Sequence, residues 1–329
     1  MKPSMTTQQS VSLQRPLRII GAACGRGSPD IRCGEGPDVL REAGLLAHIA
    51  RVRPDTTWDE TLRCDGPGHS PLQAVAELCP RLAEKTFAAV SEGALPLVLS
   101  GDHSCAVGAW AGVSRALRPR GDFGLVWVDA HLDSHTPATS HTGAIHGMPL
   151  AALLGHGEPA LTACGGEGAK LLPRNLCIVG ARSYEAEELR FLNALGVRLY
   201  FMEEVERRGI DAVMRDALEL VRAETAGFGI SIDLDAIDPL EAPGVGTPAA
   251  RGMGAAGLAA ALRGIGDLPD LAGMEISEYN PARDRGARTA ALVFELVDGL
   301  LGAPLVANES AAEVRPTQRS GAAEFAAKR

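Results

Sequence analysis

Seven short apolar runs, rich in β-branched residues, punctuate the chain: LRIIGAAC from Leu17, LPLVLSGD from Leu95, FGLVWVDAH from Phe123, LCIVGAR from Leu176, VRLYFM from Val197, FGISIDLD from Phe228 and LAGMEISEYNP from Leu271. Their apolar residues are consecutive rather than alternating, the pattern of strands buried on both faces. Between them lie longer amphipathic stretches, among them Ser70 to Glu92, Ala186 to Leu195, Gly209 to Thr225 and Gly254 to Ile265, each long enough for a crossover helix. Strand and helix in alternation predict an α/β fold: three layers, α/β/α, around a mostly parallel, doubly wound sheet.

The Gly- and Pro-rich stretch from Cys24 to Pro37 follows the first strand and is too polar for core, so it reads as a loop at the carboxyl edge of the sheet. Residues 1–16 read as a flexible N-terminus and 17–306 as a single domain. Residues 307–329, small and polar, read as a disordered or oligomer-contacting tail. No repeat of fixed period suggests a solenoid or an array.

Composition narrows the function classes. A hydrophobic share of 46% against 22% charged residues is globular, with enough apolar material for a large core. A formal charge of −9 gives nucleic acid or an anionic membrane no electrostatic footing and favours a cationic substrate. No apolar run reaches the roughly 18 residues of a membrane span, and the first residues lack the apolar core of a signal peptide, so a cytoplasmic protein is expected. Seven cysteines without CxxC spacing read as free thiols, most of them acting as small buried hydrophobes.

The informative polar residues stand where apolar strands end: Asp102 and His103, then Asp129, His131 and Asp133, then Asp233 and Asp235, then Glu278. Ligand sites of open parallel sheets lie outside the carboxyl ends of the strands, so these groups should converge. In VWVDAHLD the spacing i, i+2, i+4 puts Asp129, His131 and Asp133 on one face of an extended segment; SIDLD does the same for Asp233 and Asp235. With His103 they make four carboxylates and two imidazoles, a mixed oxygen and nitrogen set suited to manganese and similar divalent ions. Four carboxylates packed together at buried strand ends repel one another and need cations between them. A pair of divalent ions about 3.5–4 Å apart meets that need and ionises a shared water near neutral pH.

The blocks GDHS, DAHLD and DLDAIDP, in that order and each after an apolar strand, resemble the ureohydrolase family of arginases, agmatinases, formiminoglutamases and guanidinobutyrases. The resemblance runs from about Leu17 to about Gly302. It implies an arginase-like fold and two manganese ions per chain. His103, Asp129, Asp133 and Asp233 would surround one ion; Asp129, His131, Asp233 and Asp235 would surround the other. The loop SHTPATSHTGAIHG keeps the spacing of the arginase branch, which implies that His146 passes a proton to the leaving amine. Glu278 resembles the glutamate that pairs with a guanidinium, and Thr247 a residue hydrogen-bonding in the same pocket. Glu275, on the same strand as Glu278, reads as a supporting residue.

At the amino-acid end the chain departs from the arginase pattern. The positions that carry two amides and hydroxyls read His135, Ser140, Thr142 and Ala144, so hydroxyls survive and both amides are gone. The acid that meets an α-amino group is Glu185, one methylene longer than the usual Asp. The resemblance therefore implies hydrolysis of L-arginine to urea and L-ornithine, with N-hydroxy-L-arginine, 4-guanidinobutyrate or agmatine as alternative substrates. A regulatory binding protein on a dead ureohydrolase scaffold would be expected to lose metal ligands, and none is lost. A single-zinc acetylpolyamine deacetylase would carry a tandem histidine pair, and no HH dipeptide occurs. Family members are commonly trimers or hexamers, so a homo-oligomer is implied.

Overall fold

The structure is a computed structural model and describes residues 14–64 and 68–302. The expected tail from residue 307 and nearly all of the expected flexible N-terminus lie outside the described residues. Eight strands form one sheet: β1 Leu17–Ala23, β2 Thr56–Arg63, β3 Leu95–Ser100, β4 Phe123–Val128, β5 Leu176–Ala181, β6 Arg198–Phe201, β7 Gly227–Asp233 and β8 Leu271–Ser277. Their spatial order is β2-β1-β3-β8-β7-β4-β5-β6, and every pairing is parallel. The seven apolar runs all become strands. The eighth, β2, is an edge strand whose residues TTWDETLR are mostly exposed or half-buried, which is why apolar runs did not reveal it.

Successive strand residues face opposite layers, so the sheet has two cores. Ile19, Leu97, Val126, Val128, Ile230 and Ile232 pack on one side with the helices Ile210–Arg222 and Arg288–Leu301. Ile20, Val98, Leu125, Trp127 and Ile178 pack on the other with the helices Pro71–Ser91 and Ala106–Leu117. The predicted helix from Ser70 starts as expected: Ser70 Oγ accepts from Gln73 N, and Gln73 Oε1 accepts from Ser70 N, closing both ends of a capping box.

Trp110, on the helix Ala106–Leu117, reaches the sheet through a slot made by two glycines. Gly229 on β7 is in register with Gly273 on β8, and a Cβ at Gly229 would stand 2.2 Å from the indole. The expectation that residues 24–37 are too polar for burial is corrected: Cys24, Gly25, Gly27, Ser28, Cys33, Gly36 and Pro37 are buried. Hydrogen-bond partners from the loop after β3 make this possible, notably Asp102 Oδ2, which accepts from Gly27 N at 2.7 Å. Among the described residues no helix is long and apolar enough to cross a membrane.

Candidate active site

The four strands that end in acids or histidine, β3, β8, β7 and β4, are the four central neighbours of the sheet. Sequence separations of more than a hundred residues therefore collapse to hydrogen-bond distances beyond their carboxyl ends. His103 Nδ1 lies 3.3 Å from Asp129 Oδ2, 3.2 Å from Asp133 Oδ2 and 3.1 Å from Asp233 Oδ2. His131 Nδ1 lies 3.1 Å from Asp235 Oδ2 and 3.5 Å from Asp129 Oδ1. Two nests result, His103–Asp129–Asp233 and Asp129–His131–Asp235, joined through Asp129.

Asp102, the remaining strand-end acid, stands apart from both nests. Its carboxylate accepts from Gly27 N, Ser104 N and the Ser104 hydroxyl, so it fastens the loop after β1 to the loop after β3.

The donor set fits divalent metal ions. His103 Nδ1 is buried and makes no hydrogen bond, although three carboxylate oxygens surround it. Atoms that crowd one point without bonding to each other are arranged as ligands of something between them. Their separations are those of donors bonded at roughly 2.1 Å to a common cation. Trp127 stacks on the His103 ring with centroids 4.0 Å apart and donates from Nε1 to Asp129 Oδ2 at 2.8 Å, so two of these donors are held by one indole.

Electrostatics repeat the demand for positive charge. Burial alone would depress His103 and His131, yet the carboxylates around them push both imidazoles well above the ordinary histidine value. Burial raises Asp133 to about 6 and also lifts Asp233 and Asp235. It acts upward on Asp129 too, but the imidazoles of His103 and His131 beside it hold that carboxyl below the usual range.

Above the nests opens a cavity of about 260 Å³. His131, Asp133, Asp233 and Asp235 line its floor, and His146, Thr247 and Ala144 its walls. His135, Ser140, Thr142 and Glu185 line its far end. His103, Asp129 and Glu278 do not reach the cavity surface; each is at most 1% exposed. Glu278 sits behind His146: its Oε1 accepts from His146 Nδ1 at 3.0 Å and from His103 N at 2.9 Å, and its Oε2 accepts from the Cys33 thiol at 3.3 Å. Burial depresses His146, but the charge and hydrogen bond of Glu278 together with the charges of Asp133 and Asp102 outweigh it, and the imidazole is pushed up to about 9. Asp133 and Glu278 both hold left-handed backbone, φ 44° and 66°, the kind of strain that persists where a side chain must be aimed.

Backbone contacts place the loop that carries these walls. Ile145 N and His146 N both donate to Gly27 O, which fixes His146 against the buried segment after β1. Arg182, just beyond β5, donates to the carbonyls of Asp235, Ala236, Ala249 and Ala250, tying the Thr247 loop to the end of β7.

Sequence reading missed two residues at the far end, His141 and Glu188. Glu188 is 3% exposed, and its Oε1 accepts from Ser134 N. Its signal was present: Glu188 stands three residues after Glu185, the helix cap, and accepts from Glu185 N. His135 Nε2 lies 3.1 Å from Glu185 Oε2 and 3.4 Å from Glu188 Oε2, so this end of the cavity contains its own imidazole–carboxylate group.

The profile of the Arginase family matches residues 15–302. The chain belongs to the arginase family. The arginase of Bacillus subtilis strain 168 is 38% identical over 307 residues, 89% of this chain and the whole of that one. The arginase of Bacillus caldovelox is 36% identical over 301 residues, again 89% of this chain and all of that one. The solved native structure of the Bacillus caldovelox arginase superposes with a TM-score of 0.81 at 35% identity, covering 89% of this chain and 100% of that one. The Entamoeba histolytica arginase in complex with L-ornithine superposes with a TM-score of 0.82 at 27% identity, covering 88% and 99%. The sheet and helical layers described above are the arginase fold, and the family resemblance read from GDHS, DAHLD and DLDAIDP stands.

Proposed function

We propose that the chain hydrolyses the guanidino C–N bond of L-arginine to urea and L-ornithine, with two manganese ions held per chain. The observation that carries this reading is the pair of carboxylate–imidazole nests sharing Asp129 beneath a cavity with Glu185 at its far end. His103, Asp129, Asp133 and Asp233 would hold one ion; Asp129, His131, Asp233 and Asp235 would hold the other. A divalent pair lowers the pKa of a shared water toward neutrality and so supplies a nucleophile at pH 7.

The protein's own groups do the remaining work. His146 donates Nδ1–H to Glu278 and, below about pH 9, carries a second proton at Nε2 that the departing amine can take. Glu278 Oε2 is met by the Cys33 thiol, a weak donor, and is the acceptor left for a guanidinium N–H. Asp133 accepts a hydrogen bond as the guanidino carbon becomes tetrahedral, and Thr247 supplies a hydroxyl to the same pocket. At the far end, Ser140, Thr142 and His135 meet the α-carboxylate and Glu185 meets the α-ammonium.

One observation favours a second reading. Because His135 already hydrogen-bonds Glu185, the carboxylate that would recognise an α-ammonium has a competing partner, which suits a guanidine without that group, such as 4-guanidinobutyrate. Rates on L-arginine, agmatine, 4-guanidinobutyrate and N-hydroxy-L-arginine with manganese present separate the two; a strong preference for a substrate lacking the α-carboxylate or α-ammonium overturns the arginase assignment. A sample that binds two ions per chain yet releases no urea from any of them overturns the hydrolase reading. A cytoplasmic homo-oligomer, trimer or hexamer, belongs to the same proposal and is checked by cell fractionation and by size exclusion with light scattering.

A further inference from the structure

Behind His103, away from the cavity, a buried row of hydrogen bonds runs through the sheet. Glu275 on β8 is 0% exposed. Ser100 Oγ donates to its Oε1 at 2.6 Å, while Trp110 Nε1 and Ser231 Oγ both donate to its Oε2 at 2.7 Å. Ser231 Oγ in turn lies 2.9 Å from His103 Nε2.

The direction of each proton in this row follows from donor chemistry. An indole nitrogen can only donate, so Trp110 requires Oε2 to be an acceptor. Ser231 has one proton, and an acceptor-only Oε2 at 2.7 Å takes it. Ser231 is then left with lone pairs toward His103, which must present N–H at Nε2. The other ring nitrogen, Nδ1, is thereby the one with the lone pair, and Nδ1 is the atom surrounded by Asp129, Asp133 and Asp233. With the order reversed, Ser231 would donate to Nε2, Nδ1 would carry the proton, and it could not ligate a cation.

We propose that Glu275 is a positioning residue that acts through Ser231 to set the proton order on His103, so that its Nδ1 lone pair is aimed into the carboxylate cluster. The inference rests on reading that cluster as a metal site. Trp110 belongs to the device because its N–H keeps the nearer carboxylate oxygen an acceptor. The glycine slot at Gly229 and Gly273 belongs to it because it lets the indole lie against the sheet. Histidine ligands are commonly oriented by a carboxylate on their other nitrogen; here a serine is interposed.

Manganese titration of the full-length protein tests the proposal, with affinity read from calorimetry, free Mn²⁺ from its paramagnetic resonance signal, and site occupancy from quenching of Trp127, which stacks on His103. Glu275→Leu removes the acceptor and frees the Ser231 proton to turn toward His103; manganese affinity at the His103 site should fall about 10- to 100-fold. Glu275→Gln should hold affinity within a few-fold, because Trp110 forces the amide oxygen to the Oε2 position and the proton order survives. Ser231→Ala cuts the row without touching Glu275 and should lose at least about 10-fold, which keeps the test available if the leucine variant does not fold. Thermal unfolding of the metal-free proteins checks that each variant is folded. If Glu275→Gln loses as much affinity as Glu275→Leu, or if neither Glu275→Leu nor Ser231→Ala loses any, the proton-order inference is wrong. If the unaltered protein takes up no divalent ion, the metal-site reading beneath it is wrong instead.

Discussion

Replacing Glu278 by Gln isolates one interaction of the site, the charge that Glu278 places on His146. The step in His146 from its ordinary 6.5 to about 9 corresponds to about 3.4 kcal/mol in favour of the imidazolium, at about 1.36 kcal/mol per pH unit. The side chain is 17% exposed, so solvent screening removes little of this. His146 is raised in the folded protein, so its contribution to stability is full below pH 6.5 and is lost as pH rises through about 9. Glutamine keeps the shape and an acceptor but removes the charge, so burial, the largest influence on His146, is then opposed only by the charges of Asp133 and Asp102. Measured on metal-free protein by denaturant unfolding, the stability gap between the unaltered chain and the variant should shrink between pH 6 and pH 10, by at most about 3 kcal/mol. At pH 8 the unaltered His146 is about 90% protonated and the variant's is less so, so turnover of the variant should fall at pH 8 and recover toward lower pH. A stability gap that does not change with pH, or a His146 that still titrates near 9 in the variant, would refute the pairing as the source of the shift.

Other expectations use different handles. Chelation should abolish urea release and restore Trp127 fluorescence, and manganese should reverse both; release that persists in a sample shown to be metal-free contradicts the metal reading. Gly246→Ala would set a Cβ 2.4 Å from Glu278 Oε2 and 3.0 Å from Cys33 Sγ, so KM for the guanidine should rise at least about 10-fold while the unfolding temperature moves little; an unchanged KM removes Glu278 from substrate contact. Arg182→Ala strips donors from five carbonyls and should destabilise the chain by at least about 3 kcal/mol in urea unfolding. His135→Asn releases Glu185 from its internal partner and should lower KM for L-arginine relative to 4-guanidinobutyrate; a shift in the opposite direction argues against His135 as a competitor for Glu185.

The fold was readable because the parallel sheet is buried on both faces and so announces its strands as apolar runs; only β2, exposed at the edge, carried no such signal. The nests were readable because strand-end acids at i, i+2 and i+4 have few other uses. What stayed hidden depends on three-dimensional neighbours rather than on spacing. Glu188 looked like one of several helix glutamates until the turn after β4 placed Ser134 against it. His141 had no periodicity to mark it. Cys33 sat in a loop judged too polar to be buried, and its contact with Glu278 spans 245 positions. Glu278 was legible as a strand-end acid, but its contacts with His146 and Cys33, made from a left-handed backbone position, were not.

The Trp110 slot gives this site an evolutionary constraint out of proportion to its distance from the chemistry. Gly229 and Gly273 bear no side chain, touch no substrate and bind no ion, yet a methyl group at Gly229 would evict the indole that covers Glu275. Any lineage that enlarges Gly229 must shrink or relocate Trp110 at the same time, and in doing so must find Glu275 another donor. The three positions on two strands and a helix are free to drift only together, so a neutral-looking change in the middle of the sheet is, for this chain, a change to its hydrolytic centre.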